Sequence, residues 1–137
     1  MSSTARALQQ RVLVAEADSK ANQLLSLILR NAGWEVVIVE DGFQVLQRLT
    51  DGSSWTAAVI DDRLDGVSGL DLLEELKRAP WISELPILVS SNKISLKKLR
   101  AVWAGPVDRV KRPVHMMEVE ERLLRLMGEE LEEEGGA

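Results

Sequence analysis

The chain has 137 residues, of which 45% are hydrophobic and 28% are charged, as in an ordinary soluble globular domain. It contains no cysteine and one histidine, which excludes a disulfide framework, a thiolate metal site, a cysteine nucleophile and a multi-histidine metal site. Lysine and arginine number 17 against 22 acids, but five of the acids lie within residues 129–134, so the chain before them carries 17 of each sign.

Two binding classes are excluded by the distribution of these residues. No basic stretch with interleaved aromatic side chains appears, so direct nucleic-acid binding is not expected. No apolar run approaches the roughly 18–20 residues that cross a bilayer, and residues 1–10 lack the apolar core of a secretory signal. We therefore expect a cytoplasmic protein without a membrane partner, with residues 1–10 as a flexible lead.

Short apolar runs alternate with longer amphipathic runs along the chain. Residues 12–15 are predicted to form a buried parallel strand, and Asp18 or Ser19 is predicted to cap the helix that follows. Gly33 is predicted to end that helix. Further along, the pattern predicts strands and helices over residues 36–39, 45–49, 57–60, 70–76, 87–89, 96–103 and 107–110.

The last predicted helix begins at Pro113, because proline suits a first helical turn. Five strands then alternate with five helices over residues 11–128. This order predicts a doubly wound, flavodoxin-like (βα)5 fold with a five-stranded parallel sheet and helices on both faces. Residues 129–137 are interpreted as an acidic, Glu-rich tail.

Polar side chains follow the predicted strands, where ligands bind in open parallel sheets. Acids, hydroxyls and cations are found there: Glu16, Asp18, Asp61, Asp62, Ser90, Ser91, Lys111 and Arg112. Since the carboxyl ends of parallel strands share one edge of the sheet, we expect these groups to converge.

This pattern resembles the receiver domain of two-component response regulators over nearly the whole chain. Asp61 ends the third strand and lies eight residues before Gly69, the family's spacing between the phosphoacceptor and the glycine that opens the third helix. Leu85-Pro86 precedes the fourth strand, as it commonly does in receivers. Arg112-Pro113 stands where receivers carry Lys-Pro.

The resemblance implies a phosphorelay role in which Asp61 accepts a phosphoryl group from a histidine kinase. The transition state spreads negative charge over the phosphoryl oxygens, and Mg²⁺ stabilises it. By the same resemblance Glu16, Asp61 and the backbone carbonyl of Arg63 would hold the metal. Ser91 matches the position of the hydroxyl that binds the phosphoryl group.

Several positions depart from the family pattern. Ala17 occupies the second acidic position, and its methyl group cannot ligate Mg²⁺. Arg112, preceded by Lys111, replaces the family's lysine with a longer and planar cation. Arg109 stands where many receivers have an aromatic switch residue. We therefore predict a bacterial-type pseudo-receiver that is not an enzyme, acts through protein–protein interaction and binds Mg²⁺ weakly at best.

The alternative function is an active phosphoacceptor that a histidine kinase phosphorylates on Asp61. A small α/β enzyme with Asp61 as nucleophile has the least support, because no general base can be identified from the sequence. The expected partners are a histidine kinase or another signalling protein. A homodimer through the fourth helix, fifth strand and fifth helix is a further expectation.

Structural roles stay open for the same residues. Asp61 and Ser91 would also serve to satisfy backbone groups at strand ends, and Asp18 suits a helix cap better than a metal ligand. Asp62 is interpreted as a solvated neighbour rather than a ligand. Arg112 would equally form a permanent salt bridge with Asp61.

Trp103 fits either the core or a partner surface, because the helix that carries it belongs to the usual partner face of receivers. His115, at the start of the last helix, is interpreted as a plain surface residue rather than a catalytic one.

Overall fold

The computed structural model describes residues 10–128. Its strands are β1 (Arg11–Ala15), β2 (Glu35–Val39), β3 (Ala57–Asp61), β4 (Ile87–Ser90) and β5 (Val107–Val110). All neighbouring strands are parallel, and they form one sheet in the order β2-β1-β3-β4-β5. The predicted doubly wound parallel sheet is confirmed.

Five helices connect the strands, and a short 3-10 helix spans Pro80–Ile82. They are α1 (Ser19–Asn31), α2 (Gly42–Leu49), α3 (Gly69–Leu76), α4 (Leu96–Val102) and α5 (Met116–Leu126). Helices α1 and α5 pack on one face of the sheet, and α2, α3 and α4 pack on the other. Within residues 10–128 no helix is long and apolar enough to cross a membrane.

The strands divide their side chains between two hydrophobic cores. Val12 and Val14 of β1 pack with α1 and α5, whereas Leu13 and Ala15 pack with α2, α3 and α4. This division follows from the strand period of two, which points successive side chains to opposite faces. The central strand β3 is buried along its whole length, so the polar side chain at its end, Asp61, is buried as well.

The helix-capping interpretation of Asp18 is confirmed. Its Oδ1 accepts hydrogen bonds from the backbone N–H groups of Lys20 at 2.9 Å and Ala21 at 3.3 Å. Gly33 follows the end of α1 with a φ of +100°, a conformation that glycine adopts without strain. Both ends of α1 are therefore determined by the local residues that the sequence predicted, Asp18 and Gly33.

The predicted start of the last helix at Pro113 is wrong. Helix α5 begins at Met116 with His115 at its N-cap position, and Arg112-Pro113 is a cis peptide in the preceding loop. The Asn92 Oδ1 accepts from the Arg112 N–H at 2.8 Å, and its Nδ2 donates to the Arg112 carbonyl at 3.3 Å. These two bonds hold the segment before the helix against the loop after β4, so the helix starts later.

Trp103 belongs to the core. Only 2% of its surface is exposed, and its indole Nε1 donates a 2.8 Å hydrogen bond to the Leu85 carbonyl. It follows the last residue of α4 rather than lying within the helix. The predicted lead over residues 1–10, except for Gln10, and the predicted tail over residues 129–137 lie outside the described residues.

The burial of Trp103 predicts a large stability difference between two tryptophans. Trp103→Ala removes a buried ring and a buried hydrogen bond, so we expect a loss of about 3–5 kcal/mol in the free energy of unfolding. Trp81 is 63% exposed, and Trp81→Ala should cost no more than about 0.5 kcal/mol. Urea titrations followed by circular dichroism measure both, and equal losses would contradict the packing.

Candidate functional site

Three charged side chains meet at the carboxyl edge of the sheet. Glu16 directly follows β1, Asp61 is the last residue of β3, and Arg112 is two residues beyond β5. Asp61 pairs with Ser90 across β3 and β4, and Ser90 pairs with Val110 across β4 and β5. The strand register therefore brings together groups that are far apart in sequence.

The carboxylate of Asp61 is buried and bound on both oxygens. Its exposed fraction is 1%. Oδ2 accepts the Ala17 backbone N–H at 2.9 Å, and Oδ1 accepts the Arg63 backbone N–H at 2.9 Å. Oδ1 also accepts Nη1 of Arg112 at 2.8 Å. Three donors thus replace the water that a free carboxylate would bind.

The guanidinium of Arg112 joins two carboxylates. Nη1 donates to Asp61 Oδ1 and to Ser90 Oγ, both at 2.8 Å, while Nη2 donates to Glu16 Oε2 at 3.0 Å. The Arg112 side chain is 13% exposed. We call this set of contacts among Arg112, Asp61, Glu16 and Ser90 the Arg112 bridge. It contains the salt bridge between Arg112 and Asp61, which was one of the roles considered from the sequence. It also includes a second salt bridge, from Arg112 to Glu16.

Burial dominates the electrostatics of Glu16, which is 6% exposed. Loss of solvent raises the pKa of this carboxyl group above its ordinary value of 4.5, and the nearby Asp61 raises it further. The hydrogen bonds from Arg112 and from the Asp18 backbone N–H act in the opposite direction without cancelling the effect of burial.

Ser91 lies beside the Arg112 bridge and does not contact Asp61. Its hydroxyl donates to Asp62 Oδ2 at 2.9 Å and accepts the backbone N–H groups of Lys93 and Ile94, both at 3.0 Å. Asp62 Oδ1 accepts the Gly69 N–H at 2.7 Å. Asp62 is partly exposed, and it also ties the start of α3 to the loop after β4.

The remaining predicted site residues lie at different distances from Asp61. The Arg63 Nε is 3.8 Å from Asp61 Oδ1, and its side chain is 59% exposed. Lys111 is exposed, and within residues 10–128 it forms no ion pair. The structure thus gathers Glu16, Asp61, Arg63 and Arg112, whereas Ser91 and Lys111 stand outside the bridge.

Two contributors to the site were missed from the sequence. Ser90 supplies a hydroxyl that touches Arg112, a contact that the sequence did not predict. Asn92 orients Arg112 by bonding its backbone on both sides. Both residues directly follow or end an apolar strand, and this placement was the available signal.

A cleft of about 520 Å³ opens beside the Arg112 bridge. Charged side chains, among them Asp18, Arg63 and Lys93, line one part of it, and apolar side chains including Val114 and Met116 line another. The edge of the bridge is therefore reachable by a small molecule or a partner side chain.

The residues present do not fit a magnesium ion. Within residues 10–128 no three Asp, Glu or His side chains gather as metal ligands. Ala17 presents a backbone N–H rather than an oxygen toward Asp61. The two carboxylates that remain, Glu16 and Asp61, share a guanidinium, whose positive charge would repel the ion.

Comparison with protein families matches residues 12–124 to the response regulator receiver domain. The uncharacterized transcriptional regulatory protein YrkP of Bacillus subtilis is 30% identical over 115 residues, which are 83% of this chain and 48% of that protein. The sensory/regulatory protein RpfC of Xanthomonas campestris is 32% identical over 100 residues, 71% of this chain and 14% of that protein. The chain thus spans half or less of the length of these relatives.

Solved structures share the fold. The chemotaxis response regulator CheY4 of Vibrio cholerae superposes with a TM-score of 0.77 at 19% identity, covering 87% of this chain and 99% of that one. The receiver domain of the sensor histidine kinase PA1611 of Pseudomonas aeruginosa has a TM-score of 0.73 at 24% identity, covering 88% and 99%. That receiver was solved with a magnesium ion in its active site cleft.

The raised pKa of Glu16 predicts a pH-dependent stability. A carboxyl group with a higher pKa in the folded chain favours folding while protonated, and this contribution is lost as the pH rises from 4.5 through the folded-state pKa. Glu16→Gln cannot ionise. We therefore expect the free energy of unfolding of the variant, relative to the wild type, to increase from pH 4.5 toward neutrality.

Urea titrations at several pH values measure this difference. Glu74→Gln, at a half-exposed position on α3, is the matched control and should show no comparable increase. A difference for Glu16→Gln that stays flat or falls over this range would contradict the burial effect.

Proposed function

Because the chain belongs to the response regulator receiver family, we propose that it is a pseudo-receiver of two-component signalling. In this proposal the receiver fold serves protein–protein interaction, and phosphoryl transfer to Asp61 is impaired. The single observation that carries the proposal is the Arg112 bridge, in which one guanidinium binds both buried carboxylates of the site.

The bridge opposes nucleophilic attack by Asp61. An attacking carboxylate oxygen needs a free lone pair and an in-line approach to phosphorus. Both oxygens of Asp61 are already hydrogen-bonded, one of them to a cation, and the side chain is almost wholly shielded from solvent. The charge-assisted bond to Arg112 is of a kind that is among the strongest in proteins, so attack through Oδ1 would first require its loss.

The bridge also takes the place of metal-dependent charge compensation. Arg112 neutralises one of the two carboxylate charges when both Glu16 and Asp61 are ionised. A divalent cation would have to displace this guanidinium and then bind without an oxygen ligand from Ala17. The magnesium ion of the PA1611 receiver is therefore not carried over to this chain.

The biological role in this proposal is that of a binding module. We propose that the chain is not an enzyme, acts in the cytoplasm, and contacts a histidine kinase or another signalling protein. The names of its relatives support this class, since YrkP is a transcriptional regulatory protein and RpfC a sensory/regulatory protein. A homodimer through α4, β5 and α5 is the expected self-association, because β5 is an edge strand.

The alternative proposal is an active phosphoacceptor. One observation favours it: the open cleft beside Asp61 is lined by the three cations Arg63, Lys93 and Arg112, which suit phosphoryl oxygens. In that case phosphorylation of Asp61 would require Arg112 to move from its carboxylate partners to the phosphoryl group. Phosphorylation measurements separate the two functions.

Incubation with a small phosphodonor such as acetyl phosphate and Mg²⁺ tests the pseudo-receiver proposal. We expect the intact mass to remain that of the unmodified chain, because Asp61 is engaged by three donors and the magnesium ligand at position 17 is missing. The Asp61→Asn variant is the control for modification elsewhere. A stoichiometric gain of one phosphoryl group that disappears in Asp61→Asn would establish the active phosphoacceptor instead.

The double variant Ala17→Asp with Arg112→Lys tests whether these two positions limit the binding of Mg²⁺. It restores an oxygen ligand and replaces the guanidinium fork with a single ammonium group, so we expect Mg²⁺ to bind about tenfold more tightly than to the wild type. Titration calorimetry measures this affinity. The matched control makes the same two exchanges on the exposed side of α4, as Ala101→Asp with Arg100→Lys, and should leave magnesium binding unchanged. Equal binding by both double variants would mean that the bridge does not limit the metal.

A further inference from the structure

The charge of the chain is concentrated on one part of its surface. Residues 93–112 contain seven lysines and arginines and one acid, Asp108. Three of the cations lie on α4 and two lie at the carboxyl end of β5, which packs against α4 at the edge of the sheet. We call these five side chains the cationic surface: Lys97, Lys98, Arg100, Arg109 and Lys111.

The cations of this surface have no acidic partner among residues 10–128. None of the five forms an ion pair there, whereas Arg112 and Arg122 each bind two carboxylates. Lys97, Lys98, Arg100 and Lys111 are exposed, and Arg109 is partly exposed. Like charges held close together repel one another, so this surface gains stability from any polyanion that binds it.

The composition of the surface favours an acidic polypeptide over a nucleic acid. Trp103 is the one aromatic residue within residues 93–112, and its ring is buried against Leu85. The surface therefore lacks the exposed rings on which bases stack. Lysine and arginine without aromatic neighbours are suited to glutamate and aspartate side chains.

The chain carries a segment of that chemistry shortly after α5 in the sequence. Five of the six residues 129–134 are glutamate, and they follow α5, which packs against β5. Gly128 has a φ of +86° and donates its N–H to the Arg125 carbonyl at 3.0 Å, a geometry that turns the chain away from the helix axis.

The length of the following chain is sufficient to reach the cationic surface. The six residues 129–134 span up to about 20 Å when extended, whereas the eleven residues of α5 span about 16 Å. The last of these glutamates, Glu133 and Glu134, therefore have the reach to lie along β5 and beside α4.

We propose that the glutamates of residues 129–134 bind the cationic surface within the same molecule. The surface is then a docking site for acidic polypeptide, and an acidic partner protein gains access to it by displacing this segment. The docking does not depend on the chemistry of Asp61, so its test is independent of the test of the pseudo-receiver function.

Zero-length carbodiimide cross-linking of the full chain tests the docking. The reagent joins a carboxylate to an amine in contact with it, and peptide mass spectrometry identifies the pair. At low ionic strength we expect the monomer to contain cross-links from residues 129–134 to Lys97, Lys98 and Lys111. They should be about tenfold more abundant than cross-links to the exposed Lys20 and Lys77, because docking holds the carboxylates against the cationic surface whereas tethering alone acts on all lysines of the chain.

The dependence of the cross-links on salt concentration, and whether they join one chain or two, decide between docking and its alternatives. At 1 M salt, where the screening length is about 3 Å, the selective cross-links should disappear. Cross-links spread evenly over all lysines, or selective ones that persist unchanged in high salt, would overturn the proposal. Selective cross-links found only between two chains would also overturn it, because the occupant would then be a second copy.

Charge variants give a second measurement that does not rely on chemical reactivity. Lys97→Gln, Lys98→Gln and Arg100→Gln are combined in one full-length variant. The matched control combines Lys20→Gln, Lys77→Gln and Arg78→Gln on other helices. We expect the backbone amide NMR signals of residues 129–134 to shift in the first variant and to stay in place in the control. Equal shifts, or none in either variant, would overturn the proposal.

Discussion

The guanidinium of Arg112 is the group on which the carboxyl edge of this sheet depends. Asp61 ends a strand that is buried on both faces, so its charge has little access to water. A buried carboxylate is tolerated when it is paired and hydrogen-bonded, and removal of one partner of such a pair typically costs about 3–5 kcal/mol. Arg112 supplies this pairing for Asp61 and Glu16 together, and its contact with Ser90 joins β4 to them. The interaction that stabilises the edge is therefore the one that occupies the carboxylate of Asp61.

The cationic surface and the Arg112 bridge meet at the end of β5. Lys111 is exposed at the surface, and the next residue, Arg112, turns into the site. Asn92 fixes the backbone at Arg112, so the loop after β4 and the end of β5 form one connected unit. A protein bound to the surface would contact the chain one residue from the bridge. The cationic surface and the site around Asp61 are thus adjacent through covalent structure and two hydrogen bonds.

The sequence predicted the fold and the approximate site because both depend on repeating patterns. Strand and helix periods give the (βα)5 order, and the shared carboxyl edge of parallel strands brings Glu16, Asp61 and Arg112 together. Finer features depend on contacts between distant residues. The pairing of Asn92 with Arg112 precedes the start of α5, and the contact of Ser90 with Arg112 joins residues that are 22 apart in sequence. Neither contact leaves a periodic signal.

The departures from the receiver pattern at positions 17 and 112 explain one another. With Ala17 the site holds two carboxylates, Glu16 and Asp61, and a planar guanidinium has donors in two directions to reach both. A third carboxylate at position 17 would leave two negative charges uncompensated in a buried site. An ammonium group at position 112 is a single point charge without the fork that spans two carboxylates. Either exchange alone therefore unbalances the charges of the site, and the two positions form a coupled unit in which one guanidinium pairs with both carboxylates.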